Sequence, residues 1–225
     1  MRIDVLTLFP ELVDRICSES IIGRARKAGI LEISAHDIRA FSTDKHRRVD
    51  DTPYGGGKGM LMAAPPVCAC FDAVKNDRPC AKEKVVYLSP KGRVLTQKKA
   101  KELSEYDRLI LLCGHYEGID ARAIEYIGAE ELSIGDYVLT GGELAACVLI
   151  DCVGRLVDGV LADEVCYNDE SIASGLLEYP QYTRPEVFCG MPVPEVLLSG
   201  DHKEINAWRY RQALEETKKK RPDLL

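Results

Sequence analysis

Two short, uninterrupted apolar runs constrain the fold of this chain more than anything else in it: Val85-Val86-Tyr87-Leu88 and Leu109-Ile110-Leu111-Leu112-Cys113. A strand that is apolar on both faces must be covered on both, which is the signature of a parallel sheet between layers of helices. Each run is followed by a turn-rich break, Ser89-Pro90-Lys91-Gly92 and Gly114-His115-Tyr116-Glu117-Gly118, and then by a helix-like stretch. Ile3 to Phe9 reads as a first strand, with Pro10 placed to open a helix, and Ile30 to Ile38 alternates as a second strand. Glu143 to Ile150 is apolar nearly all round and reads as a buried helix. Strands alternating with helices predict an α/β fold with a mainly parallel sheet over residues 1–161.

The texture changes after Val160. Residues 162–171 are polar, lack periodicity and read as a linker. Pro180, Pro185, Pro192 and Pro194 preclude a long helix before Ser199-Gly200. Asp201 can then cap a final helix from about His202 to Lys220, with Ile205, Trp208, Ala213 and Leu214 on its apolar side. Residues 172–225 are therefore expected to form a small, mostly helical C-terminal domain.

With 46% hydrophobic and 29% charged residues over 225 positions, the chain has ample material for a core. No apolar run reaches the roughly 18–20 residues needed to span a bilayer, so no membrane association is expected. Asp4 interrupts the first apolar stretch and no cleavage-site pattern follows, so no signal peptide is expected. Nine dispersed cysteines fit reduced thiols, and with them a cytoplasmic protein, better than a disulfide scaffold.

The net charge of −6 argues against a polyanionic partner, but its distribution does not. Arg24 to Arg48 carries a local +4, Glu117 to Glu170 a local −11, and the tail from His202 onward a local +3. Two basic regions flanking an acidic middle can present a nucleic-acid site, or simply be solvated faces.

Several familiar chemistries fail on spacing. Gly55-Gly56-Gly57-Lys58-Gly59 has Thr52 where a phosphate loop needs its first glycine, and Gly59 where it needs Ser or Thr. No strand is followed by Gly-x-Gly-x-x-Gly, and no serine-nucleophile elbow is present. Cys68 and Cys70 lack a second pair and do not share a helix face, so packing is their reading, and no metal-ligand set is identified. What remains is three turns following strands: Leu88 to Gly92, Cys113 to Asp120, and Ser133 to Glu143. In open α/β sheets ligands bind at the carboxyl ends of strands, where glycines let the backbone approach a flat ligand.

Those turns, with Tyr54-Gly-Gly-Gly-Lys-Gly-Met60, Tyr87-Leu-Ser-Pro-Lys-Gly92, Cys113-Gly-His-Tyr-Glu-Gly-Ile-Asp120, Ser133-Ile-Gly-Asp-Tyr-Val-Leu-Thr-Gly-Gly-Glu143 and Tyr182-Thr-Arg-Pro185, closely resemble the bacterial tRNA (guanine-N1)-methyltransferases of the TrmD type. The resemblance extends through Val196-Leu-Leu-Ser-Gly200 to Arg221-Pro-Asp-Leu-Leu225. It implies membership of the knotted SPOUT methyltransferase class, with a deep trefoil knot in the sheet domain. It also implies a homodimer with active sites at the subunit interface, and S-adenosyl-L-methionine as methyl donor. The implied target is tRNA, at N1 of the guanosine immediately 3′ of certain anticodons (position 37). By motif, the donor contacts fall at Leu88, Ser89 and Pro90; at Gly114, Tyr116, Glu117 and Gly118; and at Ser133, Ile134, Gly135, Asp136, Tyr137, Val138, Leu139, Gly141 and Gly142. The family is generally described as helped by Mg²⁺, although methyl transfer itself needs no metal.

Guanine N1 is a poor nucleophile until its proton leaves, and that departure moves negative charge onto O6. Such a site needs a carboxylate base and a cation. Arg155 matches the family's catalytic arginine; otherwise it would simply pair with Asp151 one turn before it. Where the family has Asp directly before Ser, this chain reads Asn168-Asp169-Glu170-Ser171, so Asp169 and Glu170 are alternative bases. His115 stands where some members carry Arg. Lys45, His46, Arg47 and Arg48, followed by Tyr54 and Lys58, offer phosphate anchors beside a stacking ring. Arg184, Arg209 and Arg211 provide a second basic face. Methylation of a ribose 2′-hydroxyl, or RNA binding without catalysis, are the competing readings.

Overall fold

The computed structural model describes residues 1–161, 171–172 and 175–225. The chain divides into two compact units, Met1–Ala162 and Asp163–Leu225.

The first unit is built on five parallel strands: β1 (Arg2–Thr7), β2 (Glu32–Asp37), β5 (Glu83–Val94), β6 (Arg108–Cys113) and β7 (Glu130–Ser133), in the order β2-β1-β6-β5-β7. The central strands obey period two. Ile3 and Val5 of β1 and Leu109, Leu111 and Cys113 of β6 enter one core, while Leu6, Ile110 and Leu112 enter the other. Helices α1 (Pro10–Cys17), α2 (Ser20–Lys27), α4 (Gln97–Ser104) and α6 (Glu143–Gly154) contribute buried residues to the first core. Helices α3 (Ala64–Asp77) and α5 (Ala121–Ile127) contribute to the second. The continuous apolar run of β6 is thus explained: all six of its residues are buried, because both its faces are covered. A two-stranded antiparallel ribbon, β3 (Asp50–Asp51) with β4 (Leu61–Met62), carries the Tyr54 glycine loop at its tip.

Two details differ from the sequence reading. The expected turn Ser89 to Gly92 lies within the twelve-residue strand β5. Leu132 of β7 faces first Leu88 and then Arg93, so residues 89–92 swell out of the ladder as an irregular bulge. The second difference concerns α6, which is not buried all round. Leu144 and Val148 are 49% and 48% exposed, one turn apart on a single face. On α1, which packs against α6, Leu12 and Ile16 repeat the pattern at 40% each.

The amino end of the sheet is closed by charge. Asp4 and Arg108, both fully buried, pair through Nε at 2.8 Å. The guanidinium also donates to the carbonyls of Val74 (2.7 Å) and Arg78 (2.9 Å) at the end of α3, satisfying groups a helix terminus leaves open.

In the second unit, strands β8 (Val187–Phe188) and β9 (Met191–Pro192) form a hairpin, and helix α7 (His202–Lys220) follows. Asp201 caps α7 as its sequence suggests, accepting from the backbone N–H of Lys203 (3.0 Å) and Glu204 (3.2 Å). Ile205, Ala213 and Thr217 are its buried positions. The eight described cysteines are free thiols, and Cys70 is packed within α3, where burial pushes its thiol up to about 12.

Candidate functional site

Beyond the carboxyl ends of β5, β6 and β7 lies a cavity of about 820 Å³. It is where a parallel sheet offers its ligand crevice. Three segments form it. The first is the β5 bulge, fixed by a short hydrogen bond from Ser89 Oγ to Glu131 Oε2 (2.6 Å), with Ser89 Oγ accepting in turn from the Lys91 N–H (3.2 Å). The second, residues 114–118 after β6, is stitched to the β4 strand: Glu117 N–H donates to Met60 O (3.0 Å) and Met62 N–H to Gly118 O (2.9 Å). The third, residues 133–142 after β7, returns to the sheet where Gly142 N–H donates to Gly114 O (2.8 Å) and Gly141 bridges His115.

Glycine is required where these segments cross. A Cβ on Gly142 would stand 2.8 Å from Cys113 Cα and 3.0 Å from Gly114 N, both main-chain atoms. One on Gly114 would stand 2.9 Å from the Tyr87 hydroxyl. The result is a narrow slot with Leu88, Ile134 and Leu139 in its walls and main-chain polar groups at its edges, suited to a flat, partly polar ring.

Of the residues expected to touch the methyl donor, all but Asp136 line this cavity. Asp136 sits at the apex of a tight turn closed by Tyr137 N–H to Gly135 O (2.9 Å), which points it outward. Tyr87, His115, Glu131 and Thr140 also line the cavity, beyond the residues that the sequence motifs point to. Glu131 was legible by period two, since it shares a strand face with Ser133. Tyr87 was hidden in an apolar run. Its burial, reinforced by Glu131, pushes the phenol up to about 12, so it remains a hydrogen-bond donor facing the slot.

Arg155 is placed elsewhere. Ala145, in the first turn of α6, lines the cavity, but Arg155 caps the far end of that helix and does not. The axial separation of Arg155 from Ala145 is about 15 Å, beyond the reach of an arginine side chain. Asp169 and Glu170 lie outside the described residues.

A family model described as tRNA (Guanine-1)-methyltransferase TrmD matches residues 1–225. The chain belongs to the TrmD family. Among curated relatives, it is 59% identical to a tRNA (guanine-N(1)-)-methyltransferase of Ruminiclostridium cellulolyticum over 224 residues, covering 100% of this chain and 96% of that protein. It is 55% identical to one of Lachnospira eligens over 227 residues (100% and 94%) and 53% identical to one of Geobacter sulfurreducens over 225 (100% and 91%). This chain is therefore a methyltransferase of the TrmD family.

In this TrmD-family chain the basic residues expected to meet RNA are all exposed, though not all are available. Arg48 is engaged by Asp44 at 2.9 Å, and that pairing, with backbone N–H groups of His46 and Arg48, holds the Asp44 carboxyl well below the usual carboxylate range. Lys45, His46 and Arg47 project from the same turn. Tyr54 is 99% exposed, with Lys58 beside it, and the far side of their loop rests on Glu117: a Cβ on Gly59 would stand 2.5 Å from Glu117 Oε1. The loop thus borders the cavity, which its sequence did not reveal. In the second unit Arg184, Arg209 and Arg211 are exposed, and Arg209 lies over the Tyr179 ring (5.0 Å), which in turn meets Trp208 edge-on. Among the described residues no group of three or more His, Cys, Asp or Glu is placed to hold a metal ion, so nothing there supports Mg²⁺ binding. No described helix is long and apolar enough to cross a membrane.

Proposed function

We propose that this protein transfers a methyl group from S-adenosyl-L-methionine to N1 of the guanosine immediately 3′ of the anticodon, position 37, in tRNA. The observation that carries the proposal is the glycine-walled cavity at the carboxyl ends of β5, β6 and β7. Its apolar walls and main-chain edges fit an adenosine, and Tyr87 and Glu131 add a donor and an acceptor. Bound there, the donor supplies an electrophilic methyl group on a sulfonium centre.

The chain's own residues then have three tasks. The segments 88–90, 114–118 and 133–142 hold the methyl group in line with the incoming nitrogen, and positioning is the main requirement of a direct displacement. Asp169 or Glu170 accepts the N1 proton. Arg155 stabilises the negative charge that moves to O6.

Because Arg155 lies a helix length from the cavity of its own chain, it serves the cavity of a partner subunit in a homodimer. The Leu12, Ile16, Leu144 and Val148 face supports such an interface, being an exposed apolar surface on two adjoining helices. Tyr54 and the basic residues of both units contact the RNA. A deep trefoil knot in the sheet domain and a cytoplasmic location belong to the same proposal, as does a linker at residues 162–171. No step is assigned to Mg²⁺.

Incubation with methyl-labelled donor and unmodified tRNA, followed by nucleoside mapping, tests the proposal. N1-methylguanosine at position 37 is the expected product; a ribose-methylated product, or none, overturns it.

A further inference from the structure

Beside the cavity two buried polar atoms, one from Glu143 and one from His115, lie close to Gly141. Glu143, in the first turn of α6, is buried and accepts through Oε1 from Thr7 Oγ1 (2.8 Å); Thr7 Oγ1 itself accepts from the Phe9 N–H (2.9 Å). The other oxygen, Oε2, lies against Gly141, 2.5 Å from where a Cβ would stand. His115 Nδ1 lies 2.6 Å from that same point, is buried, and has no hydrogen-bond partner among the described residues. The imidazole is held between the rings of Phe9 (centroids 5.1 Å) and Tyr116 (5.0 Å). A buried nitrogen without a partner is costly, so a group poised this close to a buried carboxylate has reason to reach it.

We propose that His115 is a positioning residue of the cavity: when a ligand packs segment 133–142 against the sheet, its Nδ1–H donates to Glu143 Oε2 across Gly141. The pair then ties the 114–118 loop to the head of α6, with segment 139–142 of the slot clamped between them. Glu143, anchored to β1 by Thr7, serves as the fixed post. Only glycine at 141 leaves the gap open to both partners. This inference rests on the reading of the cavity as the methyl-donor site.

The test separates the two nitrogens of the ring. Asn at 115 places its amide N–H near the position of Nδ1, whereas Gln places it near Nε2. Calorimetric titration with S-adenosylhomocysteine is expected to give H115N within about threefold of the parent protein and H115Q weaker by about tenfold. The tenfold loss in H115Q corresponds to about 1.4 kcal/mol, the worth of one buried hydrogen bond. A pure packing role for the ring would weaken both variants equally, and that result overturns the proposal. Steady-state kinetics should place the H115Q effect in the KM for the donor, with kcat within about twofold; a loss confined to kcat also overturns it. If the parent protein binds no donor analogue, the reading of the cavity fails by itself. Where the analogue binds, a cycle of H115Q, E143Q and the double variant on its affinity also decides the pairing: additive losses refute it, and non-additive losses uphold it.

Discussion

Replacing Gly142 with Ala tests how the cavity is built, because the substitution is purely steric. Gly142 has φ −81° and ψ −9°, a conformation alanine adopts without strain. Its new Cβ, however, would stand 2.8 Å from Cys113 Cα and 3.0 Å from Gly114 N. Cys113 is fully buried in the centre of the sheet, so the sheet cannot yield and segment 139–142 must. Such overpacking costs about 1–3 kcal/mol, and losing the Gly142 N–H to Gly114 O hydrogen bond about 1 more. A combined cost of about 2–4 kcal/mol, taken up in the segment that lines the slot, weakens donor binding by about 30-fold to 1000-fold. Calorimetry with S-adenosylhomocysteine measures this, and circular dichroism verifies that the variant is folded. Gly29→Ala is the control. Its φ of +72° makes alanine strained, but a Cβ there meets nothing within 4 Å and lies away from the cavity. It should cost about 1–2 kcal/mol of stability and leave donor affinity unchanged. A folded Gly142→Ala variant binding within threefold of the parent protein, or an equal loss in Gly29→Ala, refutes the reasoning.

Arg108→Met should cost the first unit about 3 kcal/mol, the low end for breaking a buried pair, because Asp4 keeps Arg2 and His36 as partners. Burial pushes the Asp4 carboxyl up, but bonds from His36, Arg2 and Arg108 outweigh it and hold the group below its ordinary value. The stabilisation this gives is present above the unfolded carboxyl's pKa, about 3.9, and is lost as the pH falls through the lower folded value. The gap between variant and parent protein should therefore narrow below about pH 4. Far-UV circular dichroism is the appropriate probe, since the single tryptophan, Trp208, lies in the other unit. Tyr54→Ala removes a fully exposed ring and should raise the KM for tRNA by about 5-fold to 100-fold, the worth of one stacked base, while donor binding is unchanged by calorimetry. Val148→Lys places a charge on the apolar face of α6 and should shift the protein to monomers in sedimentation, with loss of methyl transfer. Mixing Arg155→Ala subunits with Gly142→Ala subunits should restore activity in the mixed dimers, as only there does an intact cavity meet an intact arginine from the partner. Failure to complement places both functions in one chain.

Much of the fold was legible because burial leaves a local record. The runs Val85 to Leu88 and Leu109 to Cys113 could be read as doubly covered strands, and Asp201 as a cap, since each depends on a residue's own neighbours in sequence. Segments 114–118 and 133–142 could likewise be picked out by their glycines, which mark where a main chain can approach a neighbour closely, and with 88–90 they line one cavity. Arg155 was singled out by its match to the family, but the twelve residues of α6 that separate it from the cavity act only in three dimensions.

What tertiary structure alone decided is how separate segments meet. Leu132 faces two positions of β5, making a bulge where the sequence suggested a turn. Gly59 sets the Tyr54 loop on Glu117, and Gly141 separates His115 from Glu143, contacts between residues far apart along the chain. No periodicity records such meetings, because sequence patterns report which face of an element is buried, not which partner buries it. The apolar face of α6 shows the limit most plainly: its sequence determined that Leu144 and Val148 are apolar, but only the packing of α1 and α6 left them uncovered.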